Sequence, residues 1–254
     1  KALSVSQLKS GADDEALHQL AEFEDWFIAG LRVPPPEQIR FHNEPSHLAI
    51  KRSAFELFER VVAERLAGKS EDDSLDLLIN RKPTADHAPL EQHELVTAAY
   101  FLSIAGVGNI GNSLCASVWF LSQHPEWLEQ LREELIAQPI SSMAEGLGSF
   151  PIMKAIITEV ERCYPPAPAI EKITTRDVDI LGVKIAKDVP VLHLHGVAHF
   201  DAALYDQPFE FNPKRWLEGN PEKPHSFGGG KHMCLGMGVS RVLMPIALGI
   251  LSTD

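Results

Sequence analysis

Cysteine is scarce in this chain: three in 254 residues, at Cys115, Cys163 and Cys234. An odd number at wide spacing makes neither a disulfide framework nor a zinc pattern, and fits a reducing compartment. Positive charge is also short. With 23 Lys and Arg against 35 Asp and Glu the net charge is -12, and no basic run offsets it. Nucleic acid is therefore excluded as a partner class. The start carries no basic-plus-apolar leader, and no uncharged run is long enough to span a bilayer, so a cytoplasmic location is expected. His193, His195 and His199 lie close in sequence, two of them in register for one strand face. They have no cysteine or carboxylate beside them at metal-ligand spacing.

What is present reads as a globular protein. A hydrophobic share of 44% beside 23% charged residues is ordinary for a soluble fold, and the length approaches the limit of one core. A single domain over residues 1–254 is expected, mainly α with a small β region. Ala16, Leu17, Leu20, Phe23, Trp26, Phe27 and Leu31 recur at helical spacing after a cap at Asp13 or Asp14, until Pro34-Pro35-Pro36 ends the run. A second helix is predicted over Ser46 to Ala67, with Ile50, Phe55, Phe58, Val61, Val62 and Leu66 inward, its charges solvated and Gly68 as its stop. A short helix over Ser74 to Ile79 is closed by Asn80 and Pro83. Further helices are predicted over Leu90 to Gln123, around Glu126 to Leu135, from Phe150 to Tyr164 and from Met237 to Leu251. Val178 to Ile180, Val183 to Ile185 and Val191 to Leu194 read as strands, the first two joined by a turn at Leu181-Gly182. Cys115 and Cys163 fall among apolar helical neighbours and read as core thiols.

The third cysteine stands elsewhere, in Phe227-Gly228-Gly229-Gly230-Lys231-His232-Met233-Cys234-Leu235-Gly236. It follows a glycine-rich turn and precedes a helix, where free backbone N–H groups and the helix dipole favour an anion. Glycines let the backbone lie flat against a bulky planar partner. The pattern Phe-x-x-Gly-x-His-x-Cys-x-Gly resembles the haem-thiolate loop of cytochromes P450. That resemblance implies Cys234 as the axial ligand of a haem b iron (iron protoporphyrin IX). It places Phe227 against the thiolate side, His232 as a donor to a haem propionate, and Gly228, Gly230 and Gly236 as the cradle.

Other stretches resemble the same family in the same order. Glu159-Val160-Glu161-Arg162, followed by Cys163-Tyr164-Pro165-Pro166-Ala167-Pro168, resembles its Glu-x-x-Arg helix and exit. Arg215, in Phe209 to Trp216, would complete a buried three-charge network with Glu159 and Arg162. Lys172 falls where relatives carry a propionate-binding arginine, keeping the charge without the bidentate fork. Ala198-His199-Phe200-Asp201 resembles Ala-x-Arg-Asp with Phe200 in place of the arginine.

The stretch Ala105 to Ser113 puts three glycines inside one predicted helix, each costing about 1 kcal/mol relative to alanine. It resembles the P450 helix over the distal haem face, with Ala105 and Gly106 matching. Gly108 stands at the acid position and Asn109 at the alcohol position. An acid–alcohol pair shuttles protons to dioxygen, which an amide does poorly.

The resemblance covers the central and C-terminal part of a P450, so the chain is expected to be a fragment, one part of a two-chain protein, or a shortened relative. It implies a hydrophobic organic substrate held between Ala105–Asn109 and Ala167–Ile173. With no flavin or iron–sulfur motif present, monooxygenation would draw electrons from a separate ferredoxin or reductase. Gly108 and Asn109 instead point to a peroxide-using or hydroperoxide-rearranging relative, since some P450s that handle fatty-acid hydroperoxides carry asparagine here. A third alternative is a P450-like scaffold without chemistry.

Overall fold

In the computed structural model, residues 14–31, 33–82, 88–138, 142, 147–219 and 221–253 are described. Asp13 and Pro83, and the side chains of Leu17, Leu31 and Val107, lie outside the described residues. Among the described residues the fold is mainly helical, with two small sheets. It divides into two compact units, residues 1–108 and 109–254.

The first unit is built on α1 (Asp14–Leu31), α2 (Pro35–His42), α3 (Pro45–Leu66), α4 (Ser74–Ile79) and the first half of α5 (Gln92–Gln123). Phe23 and Trp26 of α1, Phe58 and Val62 of α3, Leu75 of α4 and Leu95 and Ala99 of α5 form its core. Tyr100 meets Phe23 edge-on at 5.4 Å and stacks with Phe55 at 5.6 Å, the geometry that ring quadrupoles favour. The Pro34-Pro35-Pro36 run ends α1 as expected but also opens α2, because a proline in the first turn of a helix forfeits only an N–H that has no partner.

The solvated charged face expected of α3 has an exception. Arg65 is buried, and its guanidinium donates to Asp73 at 2.9 Å and to Asp76 at 3.0 Å. Leu66, expected inward, is half exposed. The reason lies in the next element. Asp73 caps α4 by accepting from Leu75 and Asp76 N–H, and Arg65 must turn inward to meet the two carboxylates. Burial raises the Asp76 pKa, but bonds from Glu71 N–H, Ser70, Asp72 N–H and Arg65 outweigh it and leave it at about 2.

The second unit packs α6 (Pro125–Ala137), α7 (Pro151–Cys163) and α10 (Met237–Thr253) around Leu131, Leu135, Met153, Ile156, Val160, Met244 and Leu248. The sequence offers no capping side chain at the start of α7. Glu134 of α6 supplies one from outside, accepting from Ile152 and Met153 N–H at 2.7 and 2.8 Å. Arg132 similarly donates to the Ser252 carbonyl near the end of α10 at 2.9 Å. These bonds use helix-end groups that have no intrahelical partner.

Strand β1 (Ile170–Ile173) pairs antiparallel with β4 (Pro190–His193), Ile170 opposite His193 and Lys172 opposite Val191. Strand β2 (Val178–Ile180) forms a hairpin with β3 (Val183–Ile185) across Leu181 and Gly182, both at positive φ. β1 was not expected, because its four residues alternate too briefly to signal a strand. β4 ends at His193 and His195 begins the turn α8 (His195–Ala198), so the two histidines do not share a strand face. A second short turn, α9 (Arg215–Glu218), follows the irregular stretch after α8. Cys163 is partly buried, and burial pushes its thiol up to about 12. Cys115 is exposed rather than in the core, because it faces away from the buried side of α5 marked by Ser117 and Leu121.

Candidate functional site

Helix α7 carries the charges on which the site rests. Glu159 and Arg162, one turn apart, are fully buried and paired through two bonds of 2.8 and 2.9 Å. Arg215 joins them, its Nε 3.1 Å from Glu159 Oε1. Glu159 also accepts from Asn212 N–H and from the Trp216 indole, each at 2.8 Å. Arg162 donates to the carbonyls of His199, Pro208 and Glu210. The rings of Phe200 and Tyr205 face its guanidinium at 5.7 and 5.3 Å. Buried charges survive only when paired and saturated with hydrogen bonds, and this set meets that condition. The indole of Trp216 and the carbonyl acceptors gave no sequence signal, since their roles depend on chain crossings.

The cysteine loop is tied to the last turn of α7. Ser226 donates to the Glu161 carbonyl at 2.8 Å. His199 takes the neighbouring Arg162 carbonyl at 3.1 Å and accepts the His225 N–H at 3.0 Å. Gly228 N–H then closes a turn on His225 O, and Cys234 N–H returns to Phe227 O at 2.9 Å. Gly228 and Gly230 have φ near +67° and +68°, conformations that other residues adopt only with strain. β1 reaches the same loop, because Ile170 Cδ1 lies 3.6 Å from where a side chain on Gly228 would begin.

Cys234 emerges from this frame with an exposed thiol, three residues before α10. A side chain at Gly236 would begin 3.8 Å from the sulfur, while Gly229 and Gly230 face open space. Among the described residues no group of three or more His, Cys, Asp or Glu could hold a metal ion. A single accessible thiol on an uncrowded glycine cradle fits a metal whose remaining ligands come from its own macrocycle, as in haem. His232 is exposed at the end of the turn Gly230–His232, and Lys172 is exposed on β1. Phe227 lies beneath the Arg241 guanidinium at 5.2 Å. Arg241 also pairs with Glu161 at 3.1 Å, yet burial of that carboxylate outweighs the arginine and raises its pKa to about 7. Neither Glu161 nor Arg241 stood out in the sequence.

The glycine-rich stretch of α5 is unbroken helix. Ala105 and Asn109 are exposed, and Gly106 and Gly108 half-buried. A side chain at Gly108 would begin 2.5 Å from the Glu24 carboxylate of α1. The space an acidic side chain would take is thus filled by another acid, whose pKa burial and the nearby Asp25 raise.

A family model described as Cytochrome P450 matches residues 34–251. The mouse (Mus musculus) mitochondrial 25-hydroxyvitamin D-1 alpha hydroxylase is 30% identical over 87% of this chain and 45% of its own length. Cytochrome P450 85A1 of japonica rice (Oryza sativa subsp. japonica) is 31% identical over 73% of this chain and 42% of its own length. The chain thus spans less than half the length of these curated relatives. A retinoic-acid-bound cyanobacterial P450, CYP120A1, superposes with a TM-score of 0.83 at 23% identity, covering 98% of this chain and 58% of that one. No described helix is long and apolar enough to cross a membrane. The chain belongs to the cytochrome P450 family.

Proposed function

We propose that this chain is the cysteine-bearing part of a haem-thiolate monooxygenase acting on a hydrophobic small molecule, with electrons from a separate ferredoxin or reductase. The observation that carries the reading is the exposed Cys234 thiol on its glycine turn, tethered to a buried charge network. Bound haem supplies the iron at which an O–O bond is cleaved. The chain's own residues hold and tune that group. Cys234 would supply the thiolate that binds the iron, and Gly228, Gly230 and Gly236 would leave its approach clear. His232 and Lys172 would hold propionates, Lys172 as a point charge without the fork of arginine. Glu159, Arg162 and Arg215 keep the segment beneath the loop in place. The mouse relative is named a hydroxylase, which agrees with this chemistry.

A second reading rests on Gly108 and Asn109. Without an acid and an alcohol at these positions of α5 the chain lacks the usual proton relay, which favours a substrate that already contains an O–O bond. Turnover decides between the two. The haem-loaded full-length protein should oxidise substrate with dioxygen and an electron donor and stay inactive with a hydroperoxide alone. Turnover of a hydroperoxide with no electron donor would select the second reading.

A further inference from the structure

Two residues at the entry of the cysteine loop, His225 and Ser226, are the ones bonded back to α7. Ser226 is held directly by its own hydroxyl. His225 is held through a third party, the ring of His199, which arrives from the turn α8. His199 is only 2% exposed, and both ring nitrogens are used, Nδ1 on the Arg162 carbonyl and Nε2 on the His225 N–H. An N–H can only donate, so Nε2 must be the acceptor and Nδ1 must carry the ring's one proton. Arg162 returns the bond, its guanidinium donating to the His199 carbonyl at 2.8 Å. The ring and the guanidinium thus lock each other, and the loop hangs from the ring.

We propose that His199 is a positioning residue that seats the entry of the thiolate loop on the Glu159–Arg162 network, and that it does so only as the neutral, Nδ1-protonated imidazole. The proposal rests on Cys234 being the axial ligand. A second proton on Nε2 would remove the acceptor for His225 N–H and set two donors face to face. The surroundings resist that proton: among the described residues no carboxylate figures in the electrostatics of the ring. The charged or titratable groups around it are Arg162, His225 and the ring of His195 at 6.2 Å, and all of these disfavour added positive charge. Burial is the largest influence and acts in the same direction; the bond to the Arg162 carbonyl favours the proton but is outweighed, and the His199 pKa lies below the ordinary histidine value. A depressed histidine pKa gives a contribution that is complete above about pH 6.5 and is lost as pH falls through the lower folded value.

Three variants separate the two bonds. In His199→Gln the amide oxygen takes the place of Nε2 as acceptor and does not titrate. In His199→Asn the amide reaches only the Nδ1 position. His199→Phe fills the space and makes neither bond. The readout is the fraction of the haem-loaded, reduced, carbon monoxide-bound full-length protein that keeps the red-shifted thiolate Soret band, followed from pH 8 downward, with far-UV circular dichroism at each point. Wild type should lose the band on the acid side while its helix content persists. His199→Gln should keep most of it and carry its loss to lower pH. His199→Asn and His199→Phe should lose more than half of it at pH 7.5, or fail to hold haem. Equal retention in His199→Phe and wild type, or an acid midpoint unmoved in His199→Gln, would overturn the assignment. If His199→Phe does not fold, the comparison of Gln with Asn decides alone. A wild type with no thiolate band, or a Cys234→Ala variant that retains one, overturns the ligand assignment itself and is thereby told apart from failure at His199.

Discussion

Arg162 makes more of the second unit's buried polar bonds than any residue around it, and its loss should be felt accordingly. Removing it takes two of the five bonds to the buried Glu159 carboxylate, leaving those from Arg215, Asn212 and Trp216. The same change takes the guanidinium donor from the His199, Pro208 and Glu210 carbonyls. Arg162→Ala should therefore cost about 3–5 kcal/mol in urea denaturation, and Arg215→Ala less, because Arg215 reaches partly to the surface while Arg162 still pairs Glu159. Equal costs would contradict the ranking. Glu161 makes a separate prediction about pH. Its folded pKa, raised to about 7, means that the folded state favours the neutral carboxyl. Its stabilising effect is complete below the unfolded value and is lost as pH rises through about 7. Stability should fall between roughly pH 4.5 and 7, and Glu161→Gln should flatten that slope when urea midpoints are compared across the range.

At the scale of elements, the helices were legible because period 3.6 runs long in them. The predicted Leu90 to Gln123 helix differs from α5 by two residues at one end, and the short Ser74 to Ile79 helix coincides with α4 because Asn80 marks its end. Legibility failed where an element is short or depends on a distant partner. β1 exists because β4 pairs with it, and α2 because Pro35 suits a first turn. Arg65 reads as one more surface charge until α4 brings Asp73 and Asp76 beneath it. At the site, Cys234, Glu159 and Arg162 carry recognisable spacing, whereas His199, Trp216 and Arg241 act through crossings that no local pattern encodes. α5 offers a test at this scale. The nearest atoms to a side chain at Gly108 belong to the far end of Glu24 and to Ile28 Cδ1. Gly108→Ala should let Glu24 swing aside and gain up to about 1 kcal/mol of helix propensity. A loss of stability by urea denaturation would mean that the Glu24 carboxylate is fixed in place.

For the whole molecule, the second unit holds together everything assigned to the thiolate side: the α7 charge network, the loop it carries, the β1–β4 pair beside the loop and the helix that begins after Cys234. One measurement bears most directly on whether that assembly ligates iron. The full-length protein, loaded with haem, reduced and exposed to carbon monoxide, should show a Soret band strongly red-shifted from that of histidine-ligated haem. Cys234→Ala should abolish the shift. A band at the histidine-ligated position in wild type, or a shifted band that survives Cys234→Ala, would contradict Cys234 as the axial ligand.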